Sequence, residues 1–186
     1  RILYAIGDDL RKASRSAVNT IYVGVPGEFT KVIVKESQIS FSKKKKIQDQ
    51  DVDNLFESAF VMPSSKHTLI NRSAIYYELD DFRRMANPTG AVSEILKGKL
   101  SFIVCDNYFI DIVKPALQAV GFSVVECVSS MLAQTLYLFE PEERDRVSVL
   151  VDVGYISSTL SIILGDGIMF QKSFAYGGGY ITASLV

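Results

Sequence analysis

Asp152-Val153-Gly154-Tyr155-Ile156-Ser157-Ser158-Thr159 brings a carboxylate, a glycine and three consecutive hydroxyls into one short stretch. Residues of these types suit phosphate chemistry. Backbone N–H groups in a tight turn and short hydroxyls are donors for phosphate oxygens. An acid at the tip of a strand can hold Mg²⁺, usually through water, because that ion keeps much of its hydration shell. The same residues also make an ordinary β-hairpin with a Ser/Thr turn.

The elements around the stretch decide how its groups are presented. Val147, Val149, Leu150 and Val151 read as a fully buried strand ending in the acid. A second apolar strand runs from Leu160 to Leu164, and Gly165-Asp166-Gly167 forms a tight hairpin turn, since both glycines tolerate positive φ. A third strand, Ile168 to Phe174, leads to Gly177-Gly178-Gly179 and a helix start at Ile181-Thr182.

Composition narrows the rest. With 186 residues, 48% hydrophobic and 22% charged, the chain supports one ordinary domain or two small ones with a packed core. A net charge of −1 offers no field for nucleic acid or anionic lipid. Cys105 and Cys127 lie in apolar, strand-like runs, as buried reduced thiols of a cytoplasmic protein would. The single His67 leaves no material for a zinc cluster or a His-based catalytic triad. No Gly-x-x-x-x-Gly-Lys loop occurs and no apolar run reaches membrane-spanning length. The start at Arg1, with neither methionine nor signal-peptide pattern, reads as an excerpt.

Earlier in the chain, residues 8–18 have helical spacing, and Ile21 to Val25 alternates as a strand before Pro26-Gly27. Lys31 to Phe41 reads as one strand or a bent pair, followed by the Lys43–Lys46 run, a solvated charged edge or loop that discourages edge-to-edge pairing. Contact with an acidic partner or membrane is the sharper reading of those lysines. The spacing of Val52, Leu55, Phe56 and Ala59 predicts a helix over 49–60, capped by Asp49 or Asp51. Thr68 to Leu79 reads as a strand and Asn87-Pro88-Thr89-Gly90 as a turn. Strand 99–105, helix 107–120 with Pro115 inside it, and strand 122–127 predict a right-handed βαβ unit with a parallel pair. Ser129 or Ser130 caps a further helix ending near Phe139, and Glu140 to Arg146 is a charged linker or hinge.

Strand, hydroxyl turn, strand, tight turn, strand, glycines, helix resembles the opening of the second half of an actin-like nucleotide-binding protein. In that superfamily the first hairpin turn carries Asp-x-Gly followed by Ser or Thr and wraps the nucleotide's terminal phosphates. The resemblance implies phosphate binding by Gly154, Ser157, Ser158 and Thr159, with Gly177 and Gly178 as adjuncts and Asp152 holding Mg²⁺ through water. Tyr155 and Ile156 depart from the pattern, which favours small residues there, and their bulk crowds the place a phosphate would take.

Within the superfamily, the order of pieces resembles the FtsA family of bacterial cell-division proteins, which carries a small inserted subdomain in its first half. Tyr22-Val-Gly24-Val-Pro26-Gly27 is similar to the strand before the insert, and Ile47-Gln-Asp49-Gln-Asp51-Val52-Asp53 to the start of the insert's helix. Tyr77-Glu-Leu79-Asp80-Asp81 and Asn87-Pro88-Thr89-Gly90 resemble the family's later strand and turn. The implied fold is α/β with an α+β insert, a partial actin-like, ribonuclease H-like ATPase fold. Its expected parts are 1–25 (first subdomain), 26–98 (FtsA-type insert), 99–139 (return to the first), 140–146 (hinge) and 147–186 (start of the second).

That resemblance implies a protein that binds ATP and Mg²⁺ at full length, polymerises, and links FtsZ filaments to the inner face of the cell membrane at the septum. Its partners would be FtsZ, itself and later division proteins, the last through the insert, with membrane contact through a segment outside this span. Activity would be a weak ATPase at most, and none is expected of these 186 residues, which hold half of the phosphate clamp. A PilM-like pilus-assembly protein and an actin-like scaffold without nucleotide are the alternatives.

Overall fold

The structure, a computed structural model, describes residues 2–14 and 19–185. Helix α1 (Ile2–Ser14) covers the start of the helix predicted over 8–18, and residues 15–18 lie outside the described ones. The Tyr4 hydroxyl donates to the Ala119 carbonyl at 3.1 Å, tying α1 to a distant helix end. Strand β1 (Thr20–Val25) stops at Pro26, and a 3₁₀ turn, Gly27–Phe29, feeds β2 (Thr30–Lys46).

Strand β2 is a single long strand that takes in the whole lysine run, with an irregularity between Ser40 and Lys45. Helix α2 (Asp49–Ala59) follows. Its cap is Gln48 rather than an aspartate; Asp51 instead closes the capping box by accepting from the Gln48 N–H at 2.9 Å. Burial alone would raise the Asp51 pKa, but the Lys45 ammonium at 2.8 Å and the Gln48 N–H hold it below the ordinary 3.8. Strands β3 (His67–Leu79), β4 (Arg84–Met85) and β5 (Val92–Asp106) complete an antiparallel sheet in the order β2-β5-β3-β4.

Strand β5 sits inside this sheet and serves both of its faces. Leu96, Leu100 and Phe102 point to α2, where they pack with Ile47, Leu55, Phe56, Tyr77 and Leu79. Ile103 points the other way, into a second cluster. This is the period-two alternation expected of a strand buried on both sides. Strand β5 also runs unbroken through positions 98 and 99, where the sequence suggests a boundary.

Helix α3 (Asn107–Gln118) starts on an Asp106 cap and continues past Pro115, and strand β6 (Val124–Ser129) follows. The predicted βαβ pairing is corrected here. Strand β6 lies parallel to β1, not to β5, with Thr20 opposite Val124 and Val25 opposite Ser129. Both edges of β5 are already occupied by the antiparallel strands β2 and β3, so no edge remains for β6. Leu117, Val120, Phe122 and Val125 seal α3 against this pair.

Helix α4 (Ser130–Leu138) is capped by Ser129, whose hydroxyl accepts from the Leu132 N–H at 3.2 Å. The charge run 140–146 holds a capped helical turn, α5 (Pro141–Arg144). Three antiparallel strands form a three-stranded sheet in the order β7-β8-β9: β7 (Ser148–Val153), β8 (Ser158–Leu164) and β9 (Gly167–Phe174). Ile163 and Ile168 are fully buried on its inner face, and Ile168 packs with Ile103, Met131 and Leu132. Strand β7, expected to be fully buried, alternates instead: Leu150 and Asp152 face inward, whereas Val149, Val151 and Val153 are exposed. Helix α6 (Gly178–Ser184) begins earlier than the predicted start at Ile181.

Candidate functional site

Strands β7 and β8 are joined by the turn 154–157, with Asp152 opposite Thr159 and Val153 opposite Ser158. The Gly154 N–H donates to the Ser157 carbonyl at 2.9 Å and closes the turn. The N–H groups of Tyr155, Ile156 and Ser157 have no partner among the described residues. They are backbone donors available to an anion, whatever side chains the positions carry.

An open cleft of about 300 Å³ lies beside this turn. Asp152, Gly154, Ser157 and Thr159 line it, as do Tyr155 and Ile156, whose side chains are largely exposed at its rim. Asp152 is half-buried, and Gln134 of α4 donates to its Oδ2 at 3.1 Å, fixing the carboxylate at the strand's tip. A carboxylate in an open cleft beside free N–H groups fits a hydrated cation and a phosphate.

Ser158 is placed elsewhere. Its hydroxyl donates to the Tyr176 carbonyl at 2.6 Å, and it does not line the cleft. Thr159 is buried, its hydroxyl 2.9 Å from that of Ser173. Gly177 and Gly178 brace the turn. The Gly178 and Gly179 N–H groups donate to the Gly154 and Tyr155 carbonyls, each at 2.8 Å. A Cβ on Gly177 would fall 2.5 Å from the Gly154 oxygen, a distance only glycine permits. The first N–H groups of α6 are thereby used on the turn itself.

The opposite wall carries residues that the sequence did not mark as a site: Pro26, Gly27 and Glu28. Glu28 accepts a hydrogen bond from the Ser157 hydroxyl at 2.7 Å, across 129 positions. A Cβ on Gly27 would lie 2.4 Å from the Thr159 hydroxyl, so the Thr159 side chain of the hairpin packs directly on the backbone of the 3₁₀ turn. Gln171 of β9 holds the junction by donating to the Gly27 carbonyl at 3.1 Å and the Thr30 hydroxyl at 2.7 Å. Pro26-Gly27 reads locally as punctuation after a strand, and only the distant hairpin makes it a wall. Among the described residues no group of three or more His, Cys, Asp or Glu side chains gathers to hold a metal.

The α/β fold has counterparts among known proteins. Among solved structures the chain resembles one in a PilM-PilN type IV pilus biogenesis complex, with a TM-score of 0.56 at 16% identity over 97% of this chain and 51% of that one, a likeness of fold alone. Among curated proteins it is similar to cell division protein FtsA. The Streptococcus pneumoniae protein is 24% identical over 183 residues, covering 97% of this chain and 40% of its own length. The Enterococcus faecalis protein is 23% identical over 186 residues (97% and 42%) and that of Enterococcus hirae 21% over 191 (100% and 43%). The chain thus spans about two fifths of the length of these relatives. No family model matches it. No helix among the described residues is long and apolar enough to cross a membrane.

Proposed function

We propose that this chain is part of an actin-like bacterial cell-division protein of the FtsA kind, which at full length binds ATP with Mg²⁺, polymerises and links FtsZ filaments to the membrane at the septum. The observation that carries this reading is the end-to-end similarity to three proteins named FtsA. In this reading the α2-bearing sheet belongs to the FtsA-type insert (26–98), which contacts neighbouring subunits and later division proteins, and residues 140–146 are the hinge between the two halves. The protein works in the cytoplasm on the inner face of the membrane, which it reaches through parts outside these 186 residues.

The hairpin side of the cleft then divides the work. Asp152, steadied by Gln134, accepts from the water shell of Mg²⁺. The N–H groups of Tyr155, Ile156 and Ser157 receive phosphate oxygens, and Gly177 and Gly178 hold the turn that aims them. Bound Mg²⁺ offsets phosphate charge. ATP binding by the full-length protein, measured beside Asp152→Ala, tests the site, and equal affinities would remove Asp152 from it.

A second reading has one observation in its favour, the likeness of fold to PilM. A pilus-assembly role predicts no effect on FtsZ. Cosedimentation of the full-length protein with FtsZ filaments separates the two, since its absence would favour the pilus reading.

A further inference from the structure

We propose that Glu28 is the specificity residue that makes this cleft accept a polyphosphate only as its divalent-cation complex; this rests on the nucleotide reading above. Glu28 faces the candidate phosphate turn from the opposite wall, on a segment the fold holds firmly. Gly27 is packed flush on Thr159, and its carbonyl accepts from both the Thr30 hydroxyl at 3.1 Å and the Gln171 amide at 3.1 Å. Glu28 therefore stays with the hairpin.

The cleft's electrostatics follow from its lining. Asp152 and Glu28 are both there, and among the described residues no lysine or arginine lines it. The Ser157 hydroxyl, a donor a phosphate would use, is directed to Glu28 at 2.7 Å. A bare polyphosphate entering this cleft meets two like charges, and one hydroxyl donor is already engaged. A divalent cation eases that repulsion, because it lowers the charge the polyphosphate presents to the carboxylates and its water ligands can donate to them. Asp152 alone would make a cation helpful. A second carboxylate on the facing wall makes it a condition of entry.

The test measures ATP affinity of the full-length protein at low ionic strength, with Mg²⁺ and with EDTA, in wild type, E28Q, E28K and S157A. The wild type should bind about tenfold or more tightly with Mg²⁺, a margin that narrows as salt screens the cleft. E28Q should bind ATP in EDTA several-fold more tightly than wild type, and E28K more tightly still. S157A, which removes one donor but keeps the charge, should weaken binding by a similar factor with Mg²⁺ and with EDTA, so that the ratio between them stays that of wild type. A wild-type ratio in both E28Q and E28K overturns the role of Glu28 and leaves the nucleotide reading intact. Relaxation by S157A equal to that of E28Q also overturns it, since the hydrogen bond and not the charge would then be responsible. No ATP binding by any variant with Mg²⁺ overturns both readings together.

Discussion

The Ser101 hydroxyl donates to the Ile168 carbonyl at 2.7 Å in a fully buried bond between strands 67 positions apart. It joins β5, an inner strand of the four-stranded sheet, to β9, an edge strand of the three-stranded one. Ser101→Ala removes the donor from a place water does not reach and should cost about 1–3 kcal/mol in urea unfolding. An unchanged midpoint would show that the carbonyl finds another partner.

Gly165 makes the second joint. It has φ +59°, and a Cβ there would lie 1.9 Å from the Ile75 carbonyl oxygen. Gly165→Ala should cost at least about 2 kcal/mol, through the left-handed backbone penalty and the clash. Gly178→Ala is the control: its Cβ would meet the nearest atom, the Gly154 oxygen, at an ordinary 3.8 Å. Thermal melts should separate the two, with Gly178→Ala near wild type.

Arg144 holds the charged segment in place. Its Nη2 and Nε reach Asp166 Oδ1 at 2.9 and 3.2 Å, it donates to the Phe139 carbonyl, and its own carbonyl accepts from the Gly165 N–H at 2.7 Å. Arg144→Ala should destabilise the protein by about 1–3 kcal/mol. Arg144→Lys should recover only part of that, because an ammonium cannot reproduce the guanidinium fork. Full recovery by lysine, seen in the same unfolding curves, would make this a simple charge effect.

Two buried acids set an alkaline limit. Burial, with smaller contributions from Cys127 and Asp106, pushes the Cys105 thiol from 9.0 up to about 12. Burial pushes Tyr77 from 10.0 to about 12, with Arg72 opposing it. Both raised groups keep their protons in the folded state while the unfolded chain loses them. Their stabilisation is complete below pH 9 and declines progressively as the pH rises from 9 towards 12. Stability measured across that range should fall, and Cys105 should resist alkylation at pH 8 until urea unfolds the chain. Rapid labelling of Cys105 in the native protein would contradict its burial.

The outer face of the three-stranded sheet is apolar: Val149, Val151 and Val153 on β7, with Phe170 and Phe174 on β9, are exposed. The isolated 186-residue chain should self-associate as its concentration rises, and Val151→Lys should shift light scattering towards the monomer. A monomer at every concentration would show that this face is tolerated in water.

Local patterns revealed most elements and few of their partners. The spacing of Leu55, Phe56 and Ala59 and the turn at Gly165-Asp166-Gly167 were legible because each signal lies within a few residues. Lys97, Gly98 and Lys99 interrupt the apolar pattern and hide the first half of β5, yet Gly98 is needed where Leu55 leaves no room for a Cβ. The pairing of β6 with β1 is not legible locally, because edge occupancy is settled by distant strands. In the cleft, Asp152 and Gly154 announced themselves by type and spacing. Glu28 did not, since the hydroxyl it holds is 129 positions away.

Strand β5 is a beam roughly 50 Å long by the usual rise per residue, clamped along both flanks. Such a member has little slack. Bending it at mid-length would strain its rungs to both β2 and β3, so a push on one part of the strand is shared with its neighbours. Strand β9 rides on that beam through Ser101, and a load applied at its remote end is borne at the hairpin as well.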